Sequence, residues 1–450
     1  MENEYDIIII GTGTAGRTLA GRAKSSGLKF AIIDSREYGG TCPLRGCDPK
    51  KVLAGVSEAT DWNNRLIGKG VGTEEPLVVY WPSLIEFKRT FTEGYPREAE
   101  KMFADMGIDT YRGRAYFENE NTVFVGKDKL KGKYIFLATG SKPRKLNIPG
   151  EEYMTTSEEF MEIEKFPGKI IFVGGGYISL EFAHIARRVG SEVLILHRSE
   201  KLLGGFDSDL VNMLVKASEA AGIRILTNRP VVAVEKGNNG FLVSAEYKTE
   251  THSEIQTFNA DMVVNGAGRI PDFEDLRLEN AGVETGKKGI IVDKRMRTSN
   301  PRVYAGGDCT AEGMQLTPVA TLQGEVAAAN ILDGNGAEAD YTGIPSAVFT
   351  IPVLASVGIS EAKDNSKYRV IFHDRSKWNT TRRAGLEFAA SKVIIDETKD
   401  RIAGAHILGP NAEEAINIFA MAMRLGLRAS DIREMVFTYP TVCSDIRYML

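Results

Sequence analysis

Residues 39–51 read Gly-Gly-Thr-Cys-Pro-Leu-Arg-Gly-Cys-Asp-Pro-Lys-Lys and carry two of the chain's four cysteines, Cys42 and Cys47. Two thiols five positions apart, on a turn that opens into a helix, can close into a small disulfide that two electrons reopen. A structural disulfide or half a zinc site would use the same residue types. Neither matches the surroundings, because no second cysteine pair lies near and all five histidines lie downstream of residue 180; no metal site is expected. Pro49 suits the first turn of a helix running through Lys50 and Lys51 towards Ala59. Cys47 then sits near a helix N-terminus, where the macrodipole and the lysines lower a thiol pKa and Asp48 raises it, leaving the net sign open.

A redox pair needs a source of electrons, and the flanking sequence reads as nucleotide-binding. Tyr5–Ile10 is an apolar run typical of a buried parallel strand, followed by Gly11-Thr-Gly13-Thr-Ala-Gly16 and a helical pattern through Ser26. Gly11 permits the tight turn, Gly13 lets backbone N–H groups approach a pyrophosphate, and Gly16 lets helix pack on strand. A second strand, Lys29–Ile33, ends in Asp34, where a carboxylate holds a ribose 2′-hydroxyl. A second copy begins at Ile170–Val173 with Gly174-Gly-Gly176-Tyr177, and two such units imply two nucleotides. Its second strand, Glu192–Leu196, ends in His197-Arg198. A guanidinium in place of the acid favours a 2′-phosphate, hence NADPH, with NADH as the alternative donor.

Between and beyond these units the signals thin out. Residues 60–130 mix helical and alternating patterns and contain no motif. Tyr134–Ala138 is a buried strand leading into Thr139-Gly140 and a Pro/Gly-marked boundary before Gly150. Val303-Tyr-Ala-Gly-Gly-Asp308 places an acid after two glycines, and Leu316-Thr-Pro-Val-Ala320 opens a helix. From about Tyr341 onward come strands at Ser346–Phe349, Tyr368–Phe372, Ala389–Ile395 and Ile402–Leu408 with two helices, an assembly domain without a nucleotide motif.

At 450 residues several domains are expected. The fold class is α/β: two Rossmann-like dinucleotide-binding domains plus a C-terminal α+β dimerisation domain. The expected boundaries are 1–149 and 271–340 for the first dinucleotide-binding unit, 150–270 for the second and 341–450 for the C-terminal assembly domain. With 56 Lys plus Arg against 60 Asp plus Glu, the net charge of -4 gives no case for nucleic acid or an anionic membrane. The first strand begins within five residues of Met1, leaving no room for a signal peptide, and no apolar run approaches the roughly 20 residues that span a bilayer. A soluble protein of the reducing cytoplasm is expected.

Taken together, these motifs resemble the FAD-dependent pyridine nucleotide-disulfide oxidoreductases, the family of glutathione reductase, dihydrolipoamide dehydrogenase and mercuric reductase. The resemblance covers almost the whole chain. It implies FAD on the first unit, held by Gly11, Gly13, Gly16, Asp34, Gly40, Thr41, Thr139, Gly140, Asp308 and Thr317. It implies NADPH on the second, at Gly174, Gly176, Tyr177, Ile178, Arg198 and Gly268, with Tyr177 as the gating aromatic. Glu181 matches the acid that pairs with a lysine beside the flavin; its counterpart is Lys50 in the Pro-Lys-Lys form of the motif, the assignment adopted, and Lys51 in the Pro-Ser-Lys form. Cys47 is then the thiolate facing the flavin and Cys42 the exchange nucleophile for a small-molecule or small-protein disulfide or electrophilic substrate, in a homodimer.

One departure touches the chemistry. The family's disulfide reductases end in His-Pro-Thr followed by a glutamate, the histidine serving the partner subunit as acid and base. Here the segment reads Tyr439-Pro-Thr441-Val-Cys443-Ser444, so Tyr439 replaces the histidine and Ser444 the glutamate. A phenol with a pKa near ~10 donates a proton but is a poor base at neutral pH. Cys443 is read either as a third redox thiol or as a core residue, and Cys309 as core. The departure keeps three alternatives open: reduction of a soft metal ion, a ketopropyl-coenzyme M carboxylase-like reaction in which protons are kept from a carbanion, and a redox-sensing flavoprotein that no longer turns over a thiol substrate.

Overall fold

The computed structural model describes residues 2–72, 75–248, 253–334, 336–362 and 366–450. The chain divides into two compact units, one of residues 1–52, 86–144 and 269–341, the other of 53–85, 145–268 and 342–450.

The first unit is built on a mainly parallel sheet. Glu2–Ile10 lies between Phe30–Asp34 and Asp128–Leu137, with Asp109–Arg112 beyond Phe30–Asp34 and Val303–Ala305 also paired to Asp128–Leu137. Two antiparallel strands, Thr122–Val125 and Ala115–Asn119, extend it on the other side. The four isoleucines Ile7–Ile10 are all buried, and Ile10 stands level with Ile33 and Leu137, so an unbroken apolar run here reports a strand covered on both faces. Parallel strands of equal register end together, which is why the residues that leave them (Gly11, Asp34 and Ala138) gather at one sheet edge. The helix after the first strand is shorter than the pattern implied: it spans Thr14–Ala20, and Gly21 and Arg22 separate it from a single turn at Ala23–Ser26.

The second unit repeats the motif in a four-stranded parallel sheet ordered Ile223–Leu226, Glu192–Leu196, Lys169–Val173, Met262–Asn265. An antiparallel meander, Val231–Gly237, Gly240–Lys248 and Ser253–Ala260, is inserted before its last strand. The C-terminal part is an antiparallel sheet ordered Pro345–Val348, Val353–Gly358, Arg401–Gly409, Ala390–Asp396, Tyr368–Asp374. The helix Ala412–Leu425 buries Ala415, Ile416 and Phe419 in one core with Ala355, Ala405 and Ile407. No helix among the described residues is long and apolar enough to cross a membrane.

Candidate active site

The sheet edge of the first unit is closed by contacts between main chains. Gly11 sits at φ +111°, and a Cβ there would lie 2.1 Å from the carbonyl oxygen of Ala138. Gly40, at φ +77°, would bring a Cβ within 2.4 Å of Gly13 Cα. No side chain fits between the glycine turn, the end of the Asp128–Leu137 strand and the start of the redox segment. Thr12 fastens the same three pieces. Its amide and hydroxyl donate to Asp34 Oδ2 at 2.9 and 2.5 Å, and its oxygen accepts the Gly39 N–H at 3.0 Å. Asp34 therefore braces the turn, while Oδ1, bonded to the Arg36 amide at 2.9 Å, retains acceptor capacity for a sugar hydroxyl.

Opposite this turn, Asp308 accepts the Ser141 hydroxyl at 3.0 Å, and Arg269 holds Ser141 through Nε at 3.0 Å. Burial pushes the Asp308 carboxyl up, with Ser141 and Arg269 pulling it back. Gly140 has open space beside it. A cradle from which side chains are excluded, rimmed by two half-buried carboxylates, fits FAD. The residues that could hold it are Gly11, Gly13, Gly16, Asp34, Gly40, Thr41, Thr139, Gly140 and Asp308.

The redox pair follows directly. Cys42 lies on the one-turn helix Thr41–Arg45, Gly46 breaks the direction, and Cys47 is the first residue of the helix Cys47–Arg65, longer than the pattern to Ala59 suggested. All four cysteines are free. Thr317, first residue of the helix Thr317–Ala328, places its hydroxyl 3.3 Å from Cys42 Sγ and 3.5 Å from Cys47 Sγ. Thr317, expected from the family resemblance to contact the cofactor, thus lies within reach of both sulfurs. Asp48 Oδ1 lies 3.9 Å from Cys42 Sγ.

The open sign at Cys47 resolves downward. Its thiol is pulled down to about 6, first by the hydrogen bond from Cys42, then by Thr317 and the Lys50 charge, against burial and Asp48. Cys42, the donor in that bond and itself desolvated, is pushed up. One proton is shared unequally between two sulfurs. Cys309 is buried, its thiol 3.4 Å from the Gly306 carbonyl, a core residue.

In the second unit the glycine turn is built by the same device. Gly174 sits at φ +115°, with its would-be Cβ 2.4 Å from the Gly266 carbonyl oxygen. Gly176 precedes the helix Tyr177–Val189 with no side-chain cap, and Gly268 has open space beside it. Tyr177 is about half exposed and Ile178 is buried. Arg198 is exposed just past the strand end. Its neighbour His197, given no role from sequence, packs its ring on Gly175, and burial lowers its pKa. Glu181 is buried, its Oε1 accepting the Phe349 N–H at 2.8 Å. One turn on, buried His184 accepts from the Ile351 N–H at 3.2 Å and from Arg188 at 3.0 Å, which leaves Nε2 to donate to Ser218 Oγ at 2.9 Å. No local pattern marks His184, because its partners lie 34 and 167 residues away.

At the C-terminus, Tyr439 is 79% exposed. Its loop is bonded to itself: the Ser444 hydroxyl donates to the Thr441 carbonyl at 2.6 Å and accepts the Thr441 N–H at 3.1 Å. Ser444 thus caps the loop. Cys443 packs against the C-terminal core, and burial raises its thiol pKa. Among the described residues no group of three or more His, Cys, Asp or Glu side chains is arranged to hold a metal ion.

Comparison with known proteins agrees with this geometry. Residues 5–324 match the family described as pyridine nucleotide-disulphide oxidoreductase, and residues 344–449 match its dimerisation domain. A glutathione reductase of a Nostoc species is 32% identical, over 99% of this chain and 99% of its own. A dihydrolipoyl dehydrogenase of Staphylococcus aureus is 32% identical over 98% and 94%, and a mercuric reductase of Bacillus cereus 30% over 99% and 70%. Among solved structures, the HOCl-induced flavoprotein disulfide reductase RclA of Escherichia coli matches with a TM-score of 0.87 and 28% identity over 99% of each chain. Its Cu(II) complex matches at 0.88 and 27%, also over 99% of each. Two glycine cradles, a thiol pair and a C-terminal dimerisation domain in one chain place it in the pyridine nucleotide-disulphide oxidoreductase family.

Proposed function

We propose that this chain is a homodimeric, NADPH-dependent FAD enzyme that reduces a small-molecule or small-protein disulfide, or another thiol-reactive electrophile, through Cys42 and Cys47. The observation that carries this reading is the junction of Cys42, Cys47 and the Thr317 hydroxyl, with Cys47 poised near 6 while Cys42 keeps its proton. Residues 1–149 with 271–340 are assigned to FAD, 150–270 to the nicotinamide nucleotide and 341–450 to the dimer. Bound FAD supplies acceptance of a hydride and delivery of two electrons to sulfur. The chain's own residues do the rest: Lys50 and Thr317 hold negative charge on Cys47, and Cys42 is the thiol presented to substrate. Exposed Arg198 beyond the Glu192–Leu196 strand supports NADPH over NADH. Tyr439, standing out from a loop braced by Thr441 and Ser444, is suited to lie over Cys42 of a second copy. A cytoplasmic setting keeps such thiols reduced.

The test is an anaerobic titration of the yellow protein with NADPH and, separately, NADH. A long-wavelength band diagnostic of a thiolate against oxidised flavin, appearing at two electrons and at lower nucleotide with NADPH, is expected. Bleaching without that band would remove the cysteines from the electron path.

A second reading is supported by the mercuric reductases among the relatives and by the Cu(II) complex of RclA: a soft metal ion as the substrate that Cys42 and Cys47 bind and reduce. It predicts NADPH consumption with Hg(II) or Cu(II) and none with disulfides.

A further inference from the structure

The reductases of this family use a C-terminal histidine to move the proton of the exchange thiol, and this chain has Tyr439 there. The redox segment itself holds a replacement. Asp48 follows Cys47 directly, is exposed, and turns its carboxylate back so that Oδ1 lies 3.9 Å from Cys42 Sγ, within reach of its proton. On its other side the Thr317 hydroxyl stands 3.3 Å from Cys42 Sγ. Cys42 thus stands between a donor and an anionic acceptor, and the acceptor is open to solvent, where a substrate sulfur arrives. The other charged or titratable groups acting on this cluster are Cys47, Lys50 and Arg17, whose guanidinium is held by the Tyr95 hydroxyl.

We propose that Asp48 is the acid–base residue of thiol exchange, taking the proton from Cys42 and returning it to the departing substrate thiolate. The inference rests on the disulfide-reductase reading above. The reduced pair begins as Cys42–SH and Cys47–S⁻. As Cys42 sulfur attacks the substrate R–S–S–R, its proton passes to Asp48. A Cys42–S–S–R bond forms, the substrate S–S bond breaks, and RS⁻ leaves. Asp48 gives the proton to that RS⁻ and is an anion again. Cys47–S⁻ then attacks Cys42 sulfur, closing the Cys42–Cys47 disulfide and releasing the second RS⁻. The substrate gains two electrons and the pair loses two, with one negative charge on each side. A carboxylate beside the thiol is placed to perform the transfer that the histidine performs in those reductases.

Asp48→Asn tests this, because an acid–base role and a purely electrostatic role predict opposite signs. Removing a negative charge beside Cys42 makes its thiolate easier to form, so a charge-only residue would give faster exchange once it is gone. A proton carrier gives slower exchange, by about a hundred-fold for loss of one general base. The measurement is single-turnover reoxidation by bis(2-hydroxyethyl) disulfide, whose alkyl thiolate leaves well only with a proton, of protein first reduced with dithiothreitol and desalted under argon. Alongside it, iodoacetamide alkylation of Cys42 is followed by peptide mass spectrometry. Slower exchange with faster alkylation in Asp48→Asn supports the proposal, since alkylation needs the thiolate and no proton return. Exchange as fast as, or faster than, that of the parent protein overturns it. Because the pair is reduced by dithiothreitol, this result is independent of the NADPH titration: failure there with slow exchange here would sink the electron donor and leave Asp48 in place.

Discussion

Replacing Thr317 by valine removes one hydroxyl and keeps the branched shape at the start of its helix. That hydroxyl stands 3.3 Å from one sulfur and 3.5 Å from the other, and its single proton serves one of them at a time. With Cys47 ionised, the charge-assisted bond forms there. A hydrogen bond to a charged group contributes about 1.5–3 kcal/mol net, and a long contact to a diffuse sulfur belongs at the lower end of that range. One pKa unit corresponds to about 1.4 kcal/mol, so the Cys47 thiol should rise by about one unit from its parent position of about 6. At neutral pH the thiolate fraction then falls from about nine-tenths to about one-half. The assay is iodoacetamide alkylation of Cys47 in the reduced protein against pH, read by peptide mass spectrometry. A midpoint that stays in place or falls would show that Cys42 and Lys50 alone hold the charge, and that Thr317 only fills space.

Two further outcomes concern what holds the nucleotide helix of the second unit. Asp61 accepts Arg188 at 2.9 and 3.1 Å and Arg65 at 2.6 Å, and the Asp61 and Arg188 side chains are only 14% and 9% exposed. Asp61→Ala strands a guanidinium in the interior and should cost about 3–5 kcal/mol by urea unfolding; a loss below about 1 kcal/mol would mean that water already reaches the pair. His184 is neutral in the fold, its pKa driven well below the usual value by burial and by the Arg188 charge. The unfolded chain then binds a proton that the native state refuses. Stability therefore falls as pH drops below the free histidine value of about 6.5, at about 1.4 kcal/mol per pH unit. His184→Asn should flatten that slope by the same amount, and urea titrations across this acid range should show it.

The elements that position chemistry were legible because their signal is local. Ile7–Ile10 and Glu192–Leu196 show as strands by apolar runs, and the glycines after them by the turn they allow. The strand Val353–Gly358 was not read: its first five residues are all buried, so no alternation marks it, and Ile351-Pro352 before it suggests a loop. The meander at 231–260 was missed for a related reason, since strands such as Ser253–Ala260 carry polar residues on both faces. At the site, sequence named Cys42, Cys47 and Asp48 but could not rank the charges on them, because the hydrogen bond between the two sulfurs depends on the turn's geometry and the hydroxyl beside them comes from 270 residues downstream. Ser444 looked like a lost catalytic glutamate; only the loop's own hydrogen bonds show it employed as a cap.

The two glycine cradles share a construction and differ in address. Gly11 closes against the carbonyl of Ala138 and Gly174 against that of Gly266, contacts made by backbone alone and so indifferent to neighbouring side chains. The sites differ at the end of the second strand, where Asp34 is the last strand residue in one and exposed Arg198 stands two residues past the strand in the other. An exposed position outside the core can change its charge at little cost to folding. Arg198 can therefore be exchanged without disturbing its turn, whereas Asp34 joins shape and charge in one side chain, because Thr12 depends on it.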